Sequence, residues 1–380
     1  MRTVHPSIVI GPYTWDQDRV PRDEIQIRMD GLNRAMDANG WKAVLIYGDA
    51  VEHSALAYFS SFTTRLRWGL ALFPRAGEPR LLASVTPRDV PAMRLMTWIA
   101  DVHSGWNWQS AFDPWLAGFA GDGPIDVGSV GFDLMRPPLF QSLETSLGNR
   151  FRLHQADAAV AACRSARPRG LSQIRAASAV ARATAEAFVA AWRSGMGVEA
   201  AALDAERTAR MLAAQDVRTL VSFDGGRTLA PFRGAFGAKS SPLAGYVAVK
   251  HMGYWADMFM SAADGPSLVA QRVAAALDAA LHAAKPGVAA EALFAQASEA
   301  LAPHGLHPVL SGNIGHRIGL SQNEGGEITR DASHVLAPGD VYTLRVGAHD
   351  PAQGGAFASA LIAVDAKGCE ILLRSPAPQS

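Results

Sequence analysis

The C-terminal half of the chain repeats one order of elements, and this repeat constrains the fold more than any other feature. Two helical stretches separated by the break at residues 195–199 precede a β-rich region. Two further helical stretches, separated by the break at residues 285–288, precede a second β-rich region. A doubled α-α-β unit predicts an α+β domain with pseudo-twofold symmetry, in which helices cover a curved antiparallel sheet. The alternative is two unrelated helical hairpins that share a common stop signal.

The N-terminal part of the chain is typical of a smaller α/β domain. Apolar residues recur at helical period within residues 23–39, and the apolar run at 43–47 predicts a buried strand. A basic segment with a proline and a glycine, residues 164–170, then interrupts the pattern. We therefore predict two domains, residues 1–164 and residues 165–380.

Composition places the chain among ordinary globular proteins and argues against several partners. Of its 380 residues 49% are hydrophobic, and 35 basic side chains balance 35 acidic ones. Because no basic stripe stands out, nucleic acid is not expected as a partner. The apolar run near the N-terminus, residues 8–10, is too short for a signal peptide or a membrane span, so no membrane contact is expected. Two cysteines without metal spacing make a reducing compartment the simplest assumption.

Residues 312–327, with the sequence GNIGHRIGLSQNEGGE, form the best site candidate in the chain. His316 follows a glycine directly, and Glu324 lies beside two more glycines. Glycine suits backbone that must approach another group closely, and titratable side chains beside such backbone mark a candidate site. The alternative is a glycine-rich surface loop with a solvated histidine.

A second candidate lies where the N-terminal part enters a strand. The stretch FSSFTTRLRW at residues 59–68 contains Arg65, Arg67 and Trp68. Guanidinium groups match a carboxylate in bidentate geometry, so this stretch could hold an anionic group. The alternative is a pair of surface arginines that flank a core tryptophan.

The order of these signals resembles the creatinase, prolidase and methionine aminopeptidase family, whose members have the pita-bread fold. The resemblance covers nearly all of the chain, and its matching pieces are RSARPRGLSQIR, GMGVEA, KPGVAAEA, GYWAD at 253–257, GHRIGL at 315–320 and LAPGDVYTLRVG at 336–347. It implies a pita-bread C-terminal domain after a creatinase-N-like domain. It also implies a cytoplasmic homodimer in which the N-terminal domain of one subunit closes the pocket of the other, with Arg65, Arg67 and Trp68 as candidates for that contribution.

Peptidases of this family hold two metal ions with two Asp, one His and two Glu, and the resemblance carries over only part of this set. The second Asp falls on Asp257 and the His on His316, whereas the two Glu positions fall on Arg345 and near Ser359. Two divalent ions need several anionic ligands, and a guanidinium would repel them. We therefore expect no dinuclear site and no cofactor.

The position of the first Asp depends on the alignment of the hairpin before Asp257. It falls on His251 if the hairpin is shortened and on Tyr246 if it is not. One metal held by His251, Asp257 and His316 is the alternative to a metal-free site, since two His and a carboxylate form a familiar triad. Lys250 and His251 alternate on a strand, so at most one of them faces the pocket.

Creatinase is a family member that works without metal, and resemblance to it implies cleavage of a C–N bond in a small amino or amidino acid. A further functional His of the family lies in a Pro-His pair that reads Pro231-Phe232 in this chain, so creatinase activity itself is not carried over.

We therefore predict a metal-independent, creatinase-like hydrolase or lyase that acts on a small polar substrate bearing a carboxylate. One alternative is a metal-dependent Xaa-Pro-type peptidase with a reduced ligand set, and another is a non-catalytic homologue that serves as a binding module. The predicted catalytic residues are His316, Asp257 and Glu324. The predicted substrate-binding residues are Arg345, His251, Phe232, Arg65, Arg67 and Trp68.

Overall fold

The structure is a computed structural model that describes residues 15–64, 67–121, 123–164, 168–232, 241–308 and 312–376. The chain forms two compact units, Met1–Ser165 and Ala166–Ser380. No helix within the described ranges is both long enough and apolar enough to cross a bilayer.

The first unit is an α/β layer structure built on one six-stranded sheet. Its strands are β1 (Ala43–Asp49), β2 (Trp68–Pro74), β3 (Arg80–Ala83), β4 (Asp101–Ser104), β5 (Ile125–Val130) and β6 (Phe151–Gln155). Its helices are α1 (Arg22–Asn39), α2 (Ser54–Ser60), α3 (Val90–Met93), α4 (Gln109–Ala117), α5 (Pro137–Leu147) and α6 (Asp157–Ala162). The strand order is β4-β3-β2-β1-β5-β6, and β2 pairs antiparallel with both of its neighbours while the other pairs are parallel.

The second unit contains the duplicated arrangement predicted from the sequence. Its helices are α7 (Pro168–Arg193), α8 (Val198–Met211), α9 (Leu268–Ala283) and α10 (Ala290–Leu301). Its strands are β7 (Asp216–Val221), β8 (Leu243–His251), β9 (Tyr254–Ala262), β10 (His307–Pro308), β11 (Gly315–Arg317), β12 (Val341–Asp350), β13 (Gly354–Val364) and β14 (Cys369–Arg374). The first half has the order β7-β8-β9, and in the second half β12 pairs with β13, β13 with β14, and both β10 and β11 with β12.

Each pair of helices covers the sheet of its own half. Apolar residues of α7 and α8 form a core with β8 and β9, whereas α9 and α10 form a second core with β12 and β13. The helix α7 approaches β8 so closely that a Cβ atom at Gly245 would lie 2.5 Å from the Phe188 ring. The predicted α+β class, with a pseudo-twofold C-terminal domain and a smaller α/β domain before it, is confirmed.

Serine hydroxyls join the two halves of the second unit where β9 meets β13. The backbone N–H of Phe259 donates to Oγ of Ser359 over 2.8 Å, and the hydroxyl of Ser375 donates to the Phe259 carbonyl over 2.6 Å. Nearby, the backbone N–H of Phe357 donates to Oγ of Ser261 over 2.6 Å. The first two bonds satisfy backbone groups of β9 and the third satisfies one of β13.

Candidate active site

The face of β8 and β9 that carries Asp257 is set by the register of their hairpin. Asp257 lies opposite Ala248, so the alternation of side chains puts Tyr246 and Lys250 on the same face. On β9 itself Trp255 and Phe259 share that face. Asp257 is only 1% exposed, so its carboxylate needs compensation from polar neighbours.

Asp257 receives one hydrogen bond and has one oxygen without a partner. The Tyr246 hydroxyl donates to Oδ2 over 3.0 Å, whereas Oδ1 is buried and has no hydrogen-bond partner among the described residues. Burial and the negative charge of Asp257 raise the pKa of Tyr246 well above its ordinary value, so the phenol remains the donor of this bond. The lone oxygen is an acceptor for a ligand with an N–H or O–H group.

A chain of side chains extends from this pair toward the surface. The amide of Gln322 donates to the Tyr246 oxygen over 2.5 Å, and the exposed Arg218 donates to Gln322 over 2.6 Å. The guanidinium of Arg218 lies 4.7 Å from the centre of the buried Trp255 ring. Gln322 thereby orients the Tyr246 hydroxyl, from which Asp257 accepts a hydrogen bond.

His316 lies on β11, held in a fixed tautomer. Its Nδ1 lies 3.0 Å from the Arg317 carbonyl, which can only accept, so Nδ1 carries the proton and Nε2 has a free lone pair. The ring is buried, with 5% of the residue exposed. Gly315 is required beside it, because a Cβ atom there would lie 2.3 Å from the Thr343 carbonyl of β12.

Arg345 shares one face of its sheet with His316. His316 lies opposite Thr343 on β12, and Arg345 is two residues further along the same strand. The guanidinium donates to Oδ1 of Asn313 over 3.3 Å and lies 6.0 Å from the Phe259 ring centre. That ring in turn lies 4.5 Å from the Tyr246 ring.

The charge of Arg345 reaches the tyrosine that bonds Asp257. Although the pKa of Tyr246 is raised overall, chiefly by burial, the positive charge of Arg345 opposes part of that rise. The structure thus brings Arg345, Tyr246 and Asp257 into one neighbourhood around Phe259.

Two further polar side chains lie on the face of Arg345 and His316. Ser359 lies directly opposite Arg345, and its hydroxyl already accepts from the backbone of β9. Thr343 is fully buried, and its Oγ1 has no hydrogen-bond partner among the described residues. With Oδ1 of Asp257, this gives two buried polar atoms that no described residue satisfies and that a ligand or water could.

The structure places Glu324 within the glycine-rich segment and His251 at the end of the β8–β9 hairpin. The Glu324 carboxylate accepts from the Ser321 N–H over 3.0 Å, and its own N–H donates to the Arg317 carbonyl over 2.9 Å, so it braces the glycine-rich segment. His251 pairs with Tyr254 at the end of the hairpin, one residue out of phase with Asp257, and therefore lies on the opposite face. Of the two candidates for the first Asp position, Tyr246 contacts Asp257.

Three of the remaining predicted residues, Phe232, Arg67 and Trp68, are described by the structure, each within its own unit. Phe232 is 36% exposed and lies outside the strands. Arg65 lies outside the described residues. Arg67 and Trp68 belong to the first unit, where they line a cavity of about 570 Å³.

Sequence reasoning missed the roles of Gln322, Arg218 and Asn313. Gln322 donates to Tyr246, and Arg218 donates to Gln322. Asn313 accepts from Arg345. Gln322 and Asn313 both lie within the glycine-rich segment at residues 312–327. Arg218 lies opposite Ala248, which lies opposite Asp257, so the register of β7, β8 and β9 puts Arg218 on the face of Asp257.

Comparison with known proteins decides the family. Residues 172–366 match metallopeptidase family M24. The chain belongs to this family. Membership in M24 supports a hydrolase. No curated protein sequence shows a significant match to the chain.

Solved structures confirm the fold of this M24 member. The prolidase from Pyrococcus horikoshii OT3 is similar with a TM-score of 0.76 and 18% identity, covering 92% of this chain and 98% of that one. The X-Pro aminopeptidase from Thermotoga maritima MSB8 is similar with a TM-score of 0.76 and 21% identity over the same shares. The N-terminal domain of the FACT complex subunit SPT16 from Cicer arietinum, chickpea, has a TM-score of 0.69 and 13% identity, covering 92% and 96%. The fold is therefore shared by peptidases and by a subunit of a larger complex.

The M24 name implies a metal, and the donor set of this chain does not fit a dinuclear site. At the five corresponding positions Arg345 brings a positive charge, the Ser359 hydroxyl is engaged with β9, and the Tyr246 hydroxyl is engaged with Asp257. One carboxylate and one imidazole remain. Within the described ranges, no group of three or more His, Cys, Asp or Glu side chains converges as a metal site would require.

Proposed function

We propose that this M24 member is a metal-independent hydrolase or lyase that cleaves a bond, C–N in the first instance, in a small substrate that carries a carboxylate and a nitrogen cation. The observation that supports this most strongly is the buried Asp257, whose Oδ1 has no hydrogen-bond partner among the described residues. A buried carboxylate is stabilised when an opposite charge and a donor reach it. An ammonium or amidino group of the substrate would supply both.

Arg345 is the proposed partner of the substrate carboxylate. Its one side-chain hydrogen bond to a described residue runs to Asn313, over 3.3 Å. A guanidinium has five N–H donors, so most of its capacity is left for a ligand. The bidentate geometry of guanidinium and carboxylate would fix the substrate in one orientation.

His316 is the proposed acid/base group. Because Nδ1 donates to the Arg317 carbonyl, Nε2 accepts a proton in the neutral ring. In hydrolysis Nε2 would take a proton from the attacking water and return it to the leaving nitrogen. In elimination Nε2 would take a proton from carbon and give it to the same nitrogen. In both routes the proton that Nε2 takes up is passed to the leaving nitrogen. Both routes use Asp257 and Arg345 to hold the substrate.

Substrate turnover by variants tests the proposal. A panel of small amino, imino and amidino acids would be assayed for nitrogen release with wild-type protein after exhaustive chelation. We expect turnover that falls by about 10² or more in His316→Ala, in line with loss of a general acid–base group. His282→Ala is the matched control, since the exposed His282 has the same kind of Nδ1 contact, to the Asp278 carbonyl at 2.9 Å. Equal activity of the two variants would remove His316 from the mechanism.

A metal-dependent Xaa-Pro-type peptidase with a reduced ligand set is the second candidate. It is supported by M24 membership and by the likeness to prolidase structures, and Asp257 and His316 could supply two ligands of one ion. Elemental analysis of the purified protein separates the candidates. About one bound divalent ion per subunit, together with loss of activity on chelation and cleavage of an Xaa-Pro dipeptide, would favour the peptidase and end the metal-free proposal.

A non-catalytic binding module is the third candidate, and the likeness to a FACT complex subunit supports it. If the protein turned over no compound of the panel, with or without divalent ions, the binding module would be favoured. A homodimer and a cytoplasmic location complete the proposal, with a small molecule rather than nucleic acid or membrane as the partner. Light scattering in solution would test the dimer.

A further inference from the structure

The first unit contains a cavity of its own that the proposed function does not use. Its volume is about 570 Å³, within the range of pockets that hold small organic ligands. Its walls combine indole rings with a cation, and the residues that matter here are Arg67, Trp68, Trp106, Thr86, Asp89 and Gly105.

Of the three indoles that line this cavity, that of Trp68 is fixed and that of Trp106 is open to a ligand. Trp68 stacks on Tyr47, with ring centres 6.5 Å apart and planes 25° apart. Its ring lies against the backbone of Gly105, where an added Cβ atom would come within 2.9 Å of it. Trp106, next in sequence, is 72% exposed, although its backbone N–H is held by the Ser104 hydroxyl. An exposed indole on an anchored backbone offers a flat apolar surface at small entropic cost.

The charges at the cavity favour an anion. Asp89 accepts from Thr86 over 2.8 Å and pairs with Arg88 over 3.4 Å, so its charge is compensated within the unit. Arg67 is exposed and forms no hydrogen bond or ion pair with any residue that the structure describes. A guanidinium without a partner beside aromatic faces suits a carboxylate attached to a planar ring.

We propose that this cavity binds an aromatic carboxylic acid, with the ring against Trp106 and Trp68 and the carboxylate on Arg67. The site lies entirely within the first unit. It is independent of the chemistry proposed at Asp257 and His316.

Isothermal titration calorimetry on the full-length protein tests this site, with indole-3-acetate as the probe. Indole-3-acetamide is the matched neutral probe and acetate the matched probe without a ring. We expect indole-3-acetate to bind at least about tenfold more tightly than either, because each lacks one of the two recognised groups. Arg67→Met should weaken indole-3-acetate by about tenfold and leave indole-3-acetamide unchanged, whereas Trp106→Ala should weaken both.

Two controls make the outcome decisive. His316→Ala should bind indole-3-acetate as the wild type does, and a loss there would place the acid at the other site and overturn the proposal. Arg75→Met removes a cation that pairs with Asp37 away from the cavity lining and should have no effect. Absence of heat with indole-3-acetate, or equal binding of acid and amide, would also overturn it. The proposal would also be overturned if Trp106→Ala changed the oligomeric state but not the binding of indole-3-acetate, since the indole would then be a subunit contact.

Discussion

The hydroxyl of Tyr246 donates to the carboxylate of Asp257 over 3.0 Å, at the place where the resemblance to M24 peptidases puts two metal-binding carboxylates side by side. In this pair the phenol keeps its proton and donates it in a hydrogen bond, and the carboxylate carries the single negative charge. Two carboxylates at this distance would instead repel each other unless a cation or a shared proton lay between them. This contact therefore changes what the pocket can recognise.

Removing the phenol hydroxyl should destabilise the protein. In Tyr246→Phe the buried Asp257 carboxylate would lose its hydrogen bond, which costs about 1–3 kcal/mol of the free energy of unfolding. Urea denaturation measures this loss. Tyr342→Phe is the control, because the Tyr342 hydroxyl makes only a 3.4 Å contact with Asp340. An equal loss in both variants would mean that Asp257 does not depend on Tyr246.

The same tyrosine predicts how stability changes in alkali. The pKa of Tyr246 is raised in the folded state, chiefly by burial and the charge of Asp257, whereas an unfolded tyrosine ionises near pH 10. The stabilising contribution is therefore complete below about pH 10 and is lost as the pH rises above it, since only the unfolded state then releases the proton. We expect the free energy of unfolding to fall less steeply above pH 10 in Tyr246→Phe than in the wild type. Parallel curves would contradict this.

Restoring acidic side chains should create a metal site. The double variant Tyr246→Asp, Arg345→Glu would place two new carboxylates beside Asp257 and His316, which favours a divalent cation. We expect calorimetric binding of Mn²⁺ or Zn²⁺ to this variant and none to the wild type. Adding His316→Ala should weaken that binding by about tenfold. No binding to the double variant would show that the backbone no longer holds the geometry of a metal site.

The serine hydrogen bonds between β9 and β13, here called the serine seam, involve Ser359, Ser375 and Ser261. We expect the stability of the fold to depend on Ser359. Ser359→Ala would leave the backbone N–H of Phe259 without its acceptor in a buried setting, at a cost of about 1–3 kcal/mol. Ser241→Ala is the control, since the Ser241 hydroxyl bonds Asp264 at an exposed position. Thermal unfolding of the two variants would show the difference. A loss in Ser241→Ala as large as that in Ser359→Ala would argue against the seam.

The glycine beside His316 should tolerate no side chain. A Cβ atom in Gly315→Ala would meet the Thr343 carbonyl at 2.3 Å, and the strain of such overpacking is about 1–3 kcal/mol. Gly265→Ala, with no atom within 4 Å of the added Cβ, should leave the midpoint of thermal unfolding nearly unchanged. A larger drop of the unfolding midpoint in Gly265→Ala than in Gly315→Ala would contradict the close contact of β11 and β12.

Periodicity and stop signals predict the fold well because each reports on local backbone physics. The break at residues 195–199 ends α7 at Arg193 and leads into α8 at Val198, and the second break separates α9 from α10 in the same way. The glycine before His316 likewise indicated close backbone contact, which the Thr343 carbonyl explains.

Side-chain pairing across strands was harder to predict, because it depends on register. A shift of one residue moves a side chain to the other face of a sheet. A hairpin turn at Met252 and Gly253, both with positive φ, sets the register that puts Tyr246 rather than His251 on the face of Asp257. Gln322 could not be assigned to Tyr246 from sequence, since 76 residues separate them.

The serine seam has a consequence for how ligands of this protein can be found. Its hydroxyl groups hold the two sheets together through uncharged hydrogen bonds made by the chain itself. We therefore expect the unit to fold whether or not a ligand lies near Asp257 and Arg345. A ligand then adds its binding free energy to a native state that already exists, and the midpoint of thermal unfolding rises with ligand concentration relative to the dissociation constant. A thermal-shift screen of small carboxylic acids would rank affinities without any assumption about the reaction.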